Sequence, residues 1–179
     1  MKRIGGFFWK LIVKIAHAIL TVLYKIIKKD LTDEAFASWL QFIKFGMVGL
    51  MNTLLNYVIT EFGYFLLHDH MKDTLALQIS QTTGFMITVL ISFLINNALV
   101  FTKKPGEKRN PWLTLLKTYI AYSVTGIFLN NILVYLEMEY LHISPVIAPI
   151  INLVVDVPVN FFLNKLWAYK TEPENDEES

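Results

Sequence analysis

Four apolar runs of membrane-crossing length follow one another along the chain, at 42–67, 75–101, 112–136 and 144–169. About 20 apolar residues are enough to cross the hydrocarbon core as a helix. Each run carries polar or small residues at intervals of four. The first has Asn52, Asn56 and Thr60, the second Gly84, Thr88, Ser92 and Asn96, and the third Thr118, Tyr122, Gly126 and Asn130. The fourth has Asn152, Asp156, Asn160 and Asn164. Residues four apart share one face of a helix. The pattern therefore predicts four spans that are apolar all round except for one stripe, which faces protein, water or a ligand.

A different periodicity opens the chain. From Ile4 to Lys29, Lys10, Lys14, His17, Thr21, Lys25 and Lys28 trace one helical face, while Phe7, Leu11, Ile15, Ile19, Val22 and Ile26 lie opposite. This predicts an amphipathic helix in the membrane surface, its lysines drawn to anionic lipid. A cleaved signal peptide fits less well, because Lys14 breaks the apolar core and no small-x-small pattern follows. A fifth span would have to bury Lys10 and Lys14. Thr32, followed by Asp33 and Glu34, suits a helix start, Pro105-Gly106 breaks the connector before the third run, and Glu137, Glu139 and His142 belong to the turn after that run. The expected organisation is an interfacial helix and linker at 1–38, a four-helix transmembrane domain at 39–170 with halves 39–102 and 112–170, and an acidic, solvated tail at 171–179.

Composition agrees with the pattern. The 179 residues are 54% hydrophobic and 17% charged, against about 25% charge in soluble domains. With no cysteine, disulfides and thiolate metal sites are excluded. The net charge of +1 hides an uneven distribution. Lysine and arginine crowd the first 44 positions and the segment Lys103–Arg109, beside apolar runs, so a nucleic-acid face is not expected. If both termini are cytoplasmic, every basic residue except Lys72 falls on or near the cytoplasmic side, as the positive-inside bias requires. Trp39, Trp112 and Trp167 then fall at that interface.

The chain also resembles itself. With a shift of 68, Phe93 meets Phe161, Asn96 meets Asn164 and Phe101 meets Tyr169, while Thr88 falls on Asp156 and Ser92 on Asn160. The segment Phe42–Asn52 resembles Tyr119–Asn130 with a slip of one. The expected fold class is all-α integral membrane: four transmembrane helices as two parallel two-helix repeats, preceded by an amphipathic interfacial helix. Such repeats are related by an axis along the membrane normal, with a substrate site between them.

The stripes have a bland use and a sharp one. Asparagine, threonine and serine bond across helices as glue. Alternatively, amides that both donate and accept line a groove for hydroxyl or phosphate oxygens. Asp156 stands out, because a carboxylate in mid-span is expensive in lipid, and Pro158 frees backbone groups beside it. It is either a proton-coupling or headgroup-contacting residue or a neutral acid bonded to an asparagine. Lys165 near the end of the last span is either a snorkelling lysine or a point charge for a lipid phosphate. Lys117 and Lys44 are weaker equivalents, and Glu61 sits at a boundary. His68 and His70 with Asp69 and Asp73 lack convincing ligand spacing. No phosphate loop, zinc motif or paired carboxylate set suggests catalysis, so a non-enzymatic protein without cofactors is expected.

The residues Phe42–Asn56, Ser92–Asn96 with Val100 and Phe101, and Asn160–Lys165 with Trp167 resemble the GtrA-like family of small four-span proteins over about 42–169. The resemblance implies translocation of a polyprenyl-phosphate-linked monosaccharide, such as undecaprenyl-phosphate glucose, across the cytoplasmic membrane for decorating surface polysaccharide or teichoic acid. It points to Asn96, Asn164 and Lys165. Family members commonly have a basic residue after the second-helix asparagine, where this chain has Asn97. Together with the stripes, the expected substrate-binding set is Asn52, Asn56, Asn96, Asn130, Asp156, Asn160, Asn164 and Lys165, with no metal site. Expected partners are the sugar lipid, membrane lipids, a second copy of the chain and a glycosyltransferase. A proton-coupled exporter of small organic cations and a non-transporting scaffold for a glycosyltransferase remain as alternatives.

Overall fold

The computed structural model describes residues 2–144 and 147–173. Pro145, expected to open the fourth run, and residues 174–179 of the acidic tail lie outside the described residues. Helix α1 spans Lys2–Ile26 and α2 spans Asp33–Leu67. Thr32 starts α2 as its composition suggests, its hydroxyl accepting the Ala35 N–H at 3.2 Å. Helix α3, Asp73–Ile95, continues into a π-helical turn, Asn96–Val100. The third span is one rod, Pro111–Leu141, composed of α4 (Pro111–Ser123), a π-helical stretch (Val124–Leu129) and α5 (Asn130–Leu141). The last span is α6, Ala148–Leu163, closed by a π-helical turn, Asn164–Ala168.

Four of these helical segments are long and apolar enough to cross a membrane, beginning at Asp33, Asp73, Pro111 and Ile150. The third differs from its expected extent. Glu137 and Glu139, assigned from sequence to the following turn, lie inside α5. The helix stops only where His142 takes a left-handed conformation (φ 54°) and Ile143 N–H donates back to the Glu137 carbonyl at 3.1 Å. The start of α4 is sharply specified: Pro111 occupies the first turn, and the Asn110 side chain accepts the N–H groups of Trp112 and Leu113 at 3.0 and 3.2 Å. Between α3 and α4 the chain turns at Gly106, φ 80°. Glu107–Lys108 then pairs antiparallel with Glu172–Pro173, so the tail's first acid is tied to this connector.

The chain forms two compact units, residues 1–44 and 45–179. In the first, His17 meets Phe36 edge-on at 5.0 Å, Trp39 Nε1 donates to the Tyr24 hydroxyl at 3.3 Å, and Lys44 Nζ lies 5.3 Å from the Trp9 ring. Phe7, Ile15, Ile19, Val22 and Ile26 remain exposed. They form the apolar face of an amphipathic helix.

The second unit is held by close approach between small residues. The Ser80, Thr88, Thr118 and Thr125 hydroxyls donate to carbonyls one turn back in their own helices, at 2.8–3.0 Å. All four are buried. Such bonds satisfy a hydroxyl within its own helix and leave its face free to pack. Gly84 permits the tightest approach. A Cβ there would stand 2.6 Å from Asn56 Oδ1 and 2.7 Å from Thr60 Oγ1.

Candidate functional site

The strict spacing of four explains the π turns. An α-helix advances about 100° per residue, so positions four apart drift by about 40° at each step. Over Ser80, Gly84, Thr88, Ser92, Asn96 and Val100, all buried, that drift must be absorbed. A wider π turn lags where the α-helix runs ahead and returns the following residues to the seam. Both turns begin at an asparagine and close alike. The Phe101 N–H donates to the Asn96 carbonyl at 2.7 Å, and the Tyr169 N–H to the Asn164 carbonyl at 2.8 Å.

The two turns meet in an aromatic junction. Phe101 and Tyr169 stack at 4.5 Å, Phe93 stacks on Tyr169 at 6.2 Å, and Phe161 stacks on Phe101 at 6.0 Å. Phe45 joins from α2 against Phe101 and Phe161. All five rings are buried. Arg109 from the connector ties the two turns together: its guanidinium donates to the Tyr169 carbonyl at 3.1 Å, the Phe101 carbonyl at 2.9 Å and the Asn97 side-chain oxygen. It also lies 5.1 Å from the Tyr169 ring. Burial lowers the Arg109 pKa while the Glu107 charge opposes that shift; arginine nonetheless stays charged in proteins. Burial raises the Tyr169 phenol well above its ordinary value, so it serves as a hydroxyl. Counted in the sequence only as connector charge, Arg109 is the residue that reasoning missed. The signal was its place between Gly106 and the Asn110 helix start, where a long side chain must fold back on a neighbour.

The expected site residues divide into two groups. Asn96 and Asn164 are sealed, each with no exposed surface. Asn52, Asn56, Asn130, Asp156, Asn160 and Lys165 are half-buried. Asn164 donates to both the carbonyl and the side-chain oxygen of Asn160 at 2.8 Å. Asn130 accepts from buried Asn152 at 3.1 Å, an amide bond between α5 and α6. Lys165 Nζ lies 5.4 Å from the Phe161 ring. The structure thus brings Asn160 with Asn164, and Asn130 with Asn152.

Several acceptors in the spans are left over. The Oδ1 atoms of Asn52, Asn56, Asp156 and Asn164 are buried with no hydrogen-bond partner among the described residues, as are both amide atoms of Asn96. The Tyr122 hydroxyl faces Ser92 and Asn96 without reaching close hydrogen-bond geometry. Each unmatched buried polar group costs on the order of 1–3 kcal/mol. These atoms are the polar groups of the spans that keep hydrogen-bonding capacity to spare among the described residues. Among the described residues no three His, Asp or Glu side chains cluster to hold a metal. His68 and Asp69 form an isolated 3.2 Å pair.

These features define a small multi-pass integral membrane protein of four long apolar helices and an additional amino-terminal helix. The family described as GtrA/DPMS, transmembrane domain, matches residues 44–169, and the chain belongs to it. That family links it to polyprenyl-phosphate sugar translocation machinery. No curated protein and no solved structure matches the chain.

Proposed function

We propose that this protein moves a polyprenyl-phosphate-linked monosaccharide from the cytoplasmic to the outer leaflet, for glycosylation of a surface polysaccharide or teichoic acid. The observation that carries the reading is the line of unpartnered amide and carboxylate oxygens in the spans of a chain from this family. A sugar head supplies donors for these oxygens while its isoprenoid tail stays in lipid. Movement of this kind makes and breaks no bonds, so the protein acts as a carrier and not as an enzyme.

The architecture we propose is two parallel hairpins related by a twofold axis along the membrane normal. Reciprocal stacking supports it: Phe93 on Tyr169 and Phe161 on Phe101 are the same contact under the shift of 68, at 6.2 and 6.0 Å, with ring planes inclined by 29° and 30°. A twofold relation produces such reciprocity. In this scheme Asn52, Asn56, Asn130, Asp156, Asn160 and Lys165 contact the head, while sealed Asn96 and Asn164 act by holding the π turns. Both termini are cytoplasmic, the domain limits are 1–38, 39–170 and 171–179, and the protein works as a homo-oligomer because four helices enclose little volume.

The test is transbilayer movement of defined polyprenyl-phosphate sugars in proteoliposomes, comparing wild type with Asp156→Asn and Lys165→Gln. Loss of movement in both variants is expected, with folding intact. Wild-type protein that moves no sugar lipid, or variants as active as wild type, would remove the reading.

A further inference from the structure

A concavity lies outside the polar stripes. A cavity of about 660 Å³ opens between the connector, the first turns of α4 and the chain just past α6. Lys103, Lys108, Arg109, Lys117 and Lys170 line it, with Glu107 the one acid among the described lining residues. Glu107 and Arg109 also hold the frame. Glu107 accepts the Lys104 N–H at 2.9 Å, and Arg109 holds the Phe101 and Tyr169 carbonyls. Lys103, Lys108 and Lys170 are exposed, and Lys117 is half-buried with its Nζ 5.7 Å from the Trp167 ring.

The remaining wall is apolar. Trp112, 78% exposed, and Leu113, 49% exposed, also line the cavity. Leu116 and Ile120, both exposed, continue the Leu113 face one and two turns down α4. A bias toward basic residues on one side of the membrane requires only that they be near it. Here they converge on one basin whose rim runs directly into the lipid-facing side of a span.

We propose that this basin is a binding site for the phosphate head of a long-chain isoprenyl phosphate, and that it loads the lipid before the head enters the spans. Lys103, Lys108, Lys117 and Lys170 take the phosphate oxygens, each ammonium offering several donors to an acceptor-only anion. Trp112, Leu113, Leu116 and Ile120 take the first part of the hydrocarbon chain. The apolar face selects a lipid over a soluble anion. The inference rests on the reading that the transported molecule is a lipid-linked phosphate, and adds a site separate from the asparagine and aspartate positions.

Binding of a polyprenyl phosphate to the full chain in phosphatidylcholine nanodiscs, followed by native mass spectrometry, tests it. At about fivefold per lysine near a charged surface, the double variant Lys103→Gln/Lys170→Gln is expected to bind at least about tenfold more weakly. Lys103→Arg/Lys170→Arg should bind as wild type does, and inorganic phosphate at equal concentration should displace little. Undiminished binding by the Gln variant, or displacement by equimolar inorganic phosphate, overturns the proposal. Sugar-lipid movement in vesicles separates the two readings. Lysine-dependent binding without any movement keeps the basin and removes the carrier, whereas movement with lysine-independent binding does the reverse.

Discussion

Thr88, Ser92 and Asn96 on α3 and Asp156, Asn160 and Asn164 on α6 correspond under the 68-residue shift, yet they meet different surroundings. On α3 all three are sealed, with at most 1% of their surface exposed. On α6 only Asn164 is sealed, and Asp156 and Asn160 stay half-buried. Side-chain chemistry accounts for the difference. The Thr88 hydroxyl donates to its own helix at the Gly84 carbonyl, 2.8 Å away. Asp156 makes no bond of that kind, and its Oδ1 is buried with no hydrogen-bond partner among the described residues. The α3 stripe therefore packs, while Asp156 and Asn160 of the corresponding stripe keep part of their surface exposed. The shared frame is the aromatic junction, where Phe93 and Phe101 meet Phe161 and Tyr169.

The largest expected effect on stability is at that junction. Phe101→Ala removes the ring that stacks on both Tyr169 and Phe161, and should lower unfolding free energy by about 3–5 kcal/mol, measured by denaturant titration in bicelles. A loss below about 1 kcal/mol would mean the hairpins are not joined there. Arg109→Gln should cost about 2–3 kcal/mol, because hydrogen bonds from a charged donor are lost at both turns. Arg109→Lys should recover only part of this, since an ammonium lacks the fork that reaches two carbonyls. Gly84→Ala, which would drive a Cβ against Asn56 and Thr60, should cost about 1–3 kcal/mol by overpacking. Gly126→Ala meets nothing within 4 Å and should be neutral or slightly stabilising by helix propensity. Equal effects at the two glycines would erase the contrast between a tightly packed first hairpin and a looser second one.

Much of the fold was legible because membrane spans must be apolar and self-bonded. All four spans, the amphipathic α1 and the Thr32 start follow from periodicity alone. The end of α5 did not, because Glu137 and Glu139 read as a turn by polarity, whereas local hydrogen bonding carries the helix to Leu141. The strict spacing of four was visible, but the π turns it required were not drawn from it. Candidate polar residues were legible as a set and not individually. Burial separates Asn96 and Asn164 from Asp156 and Asn160, and burial depends on which helix lies opposite. Arg109 was hard to single out because two of its three acceptors are backbone carbonyls, which every sequence possesses.

A small expected change in stability bears most directly on the contrast between these two stripes. Asp156→Asn preserves size and one acceptor oxygen, so unfolding free energy should change by less than about 1 kcal/mol, as for substitutions outside the packed core. Thr88→Val on the other helix loses a single intrahelical hydroxyl bond, a loss of about 1 kcal/mol. Their effects on sugar-lipid movement should differ. Removing the Asp156 charge should slow movement by about tenfold or more, equivalent to roughly 1.4 kcal/mol of barrier, while Thr88→Val should leave the rate within about twofold, because no polar atom of Thr88 reaches a route. Initial rates of lipid movement in matched proteoliposomes measure both. If the two variants slow movement equally, the α6 stripe is scaffold like its counterpart on α3, and the unpartnered carboxylate oxygen has no part in carrying the head.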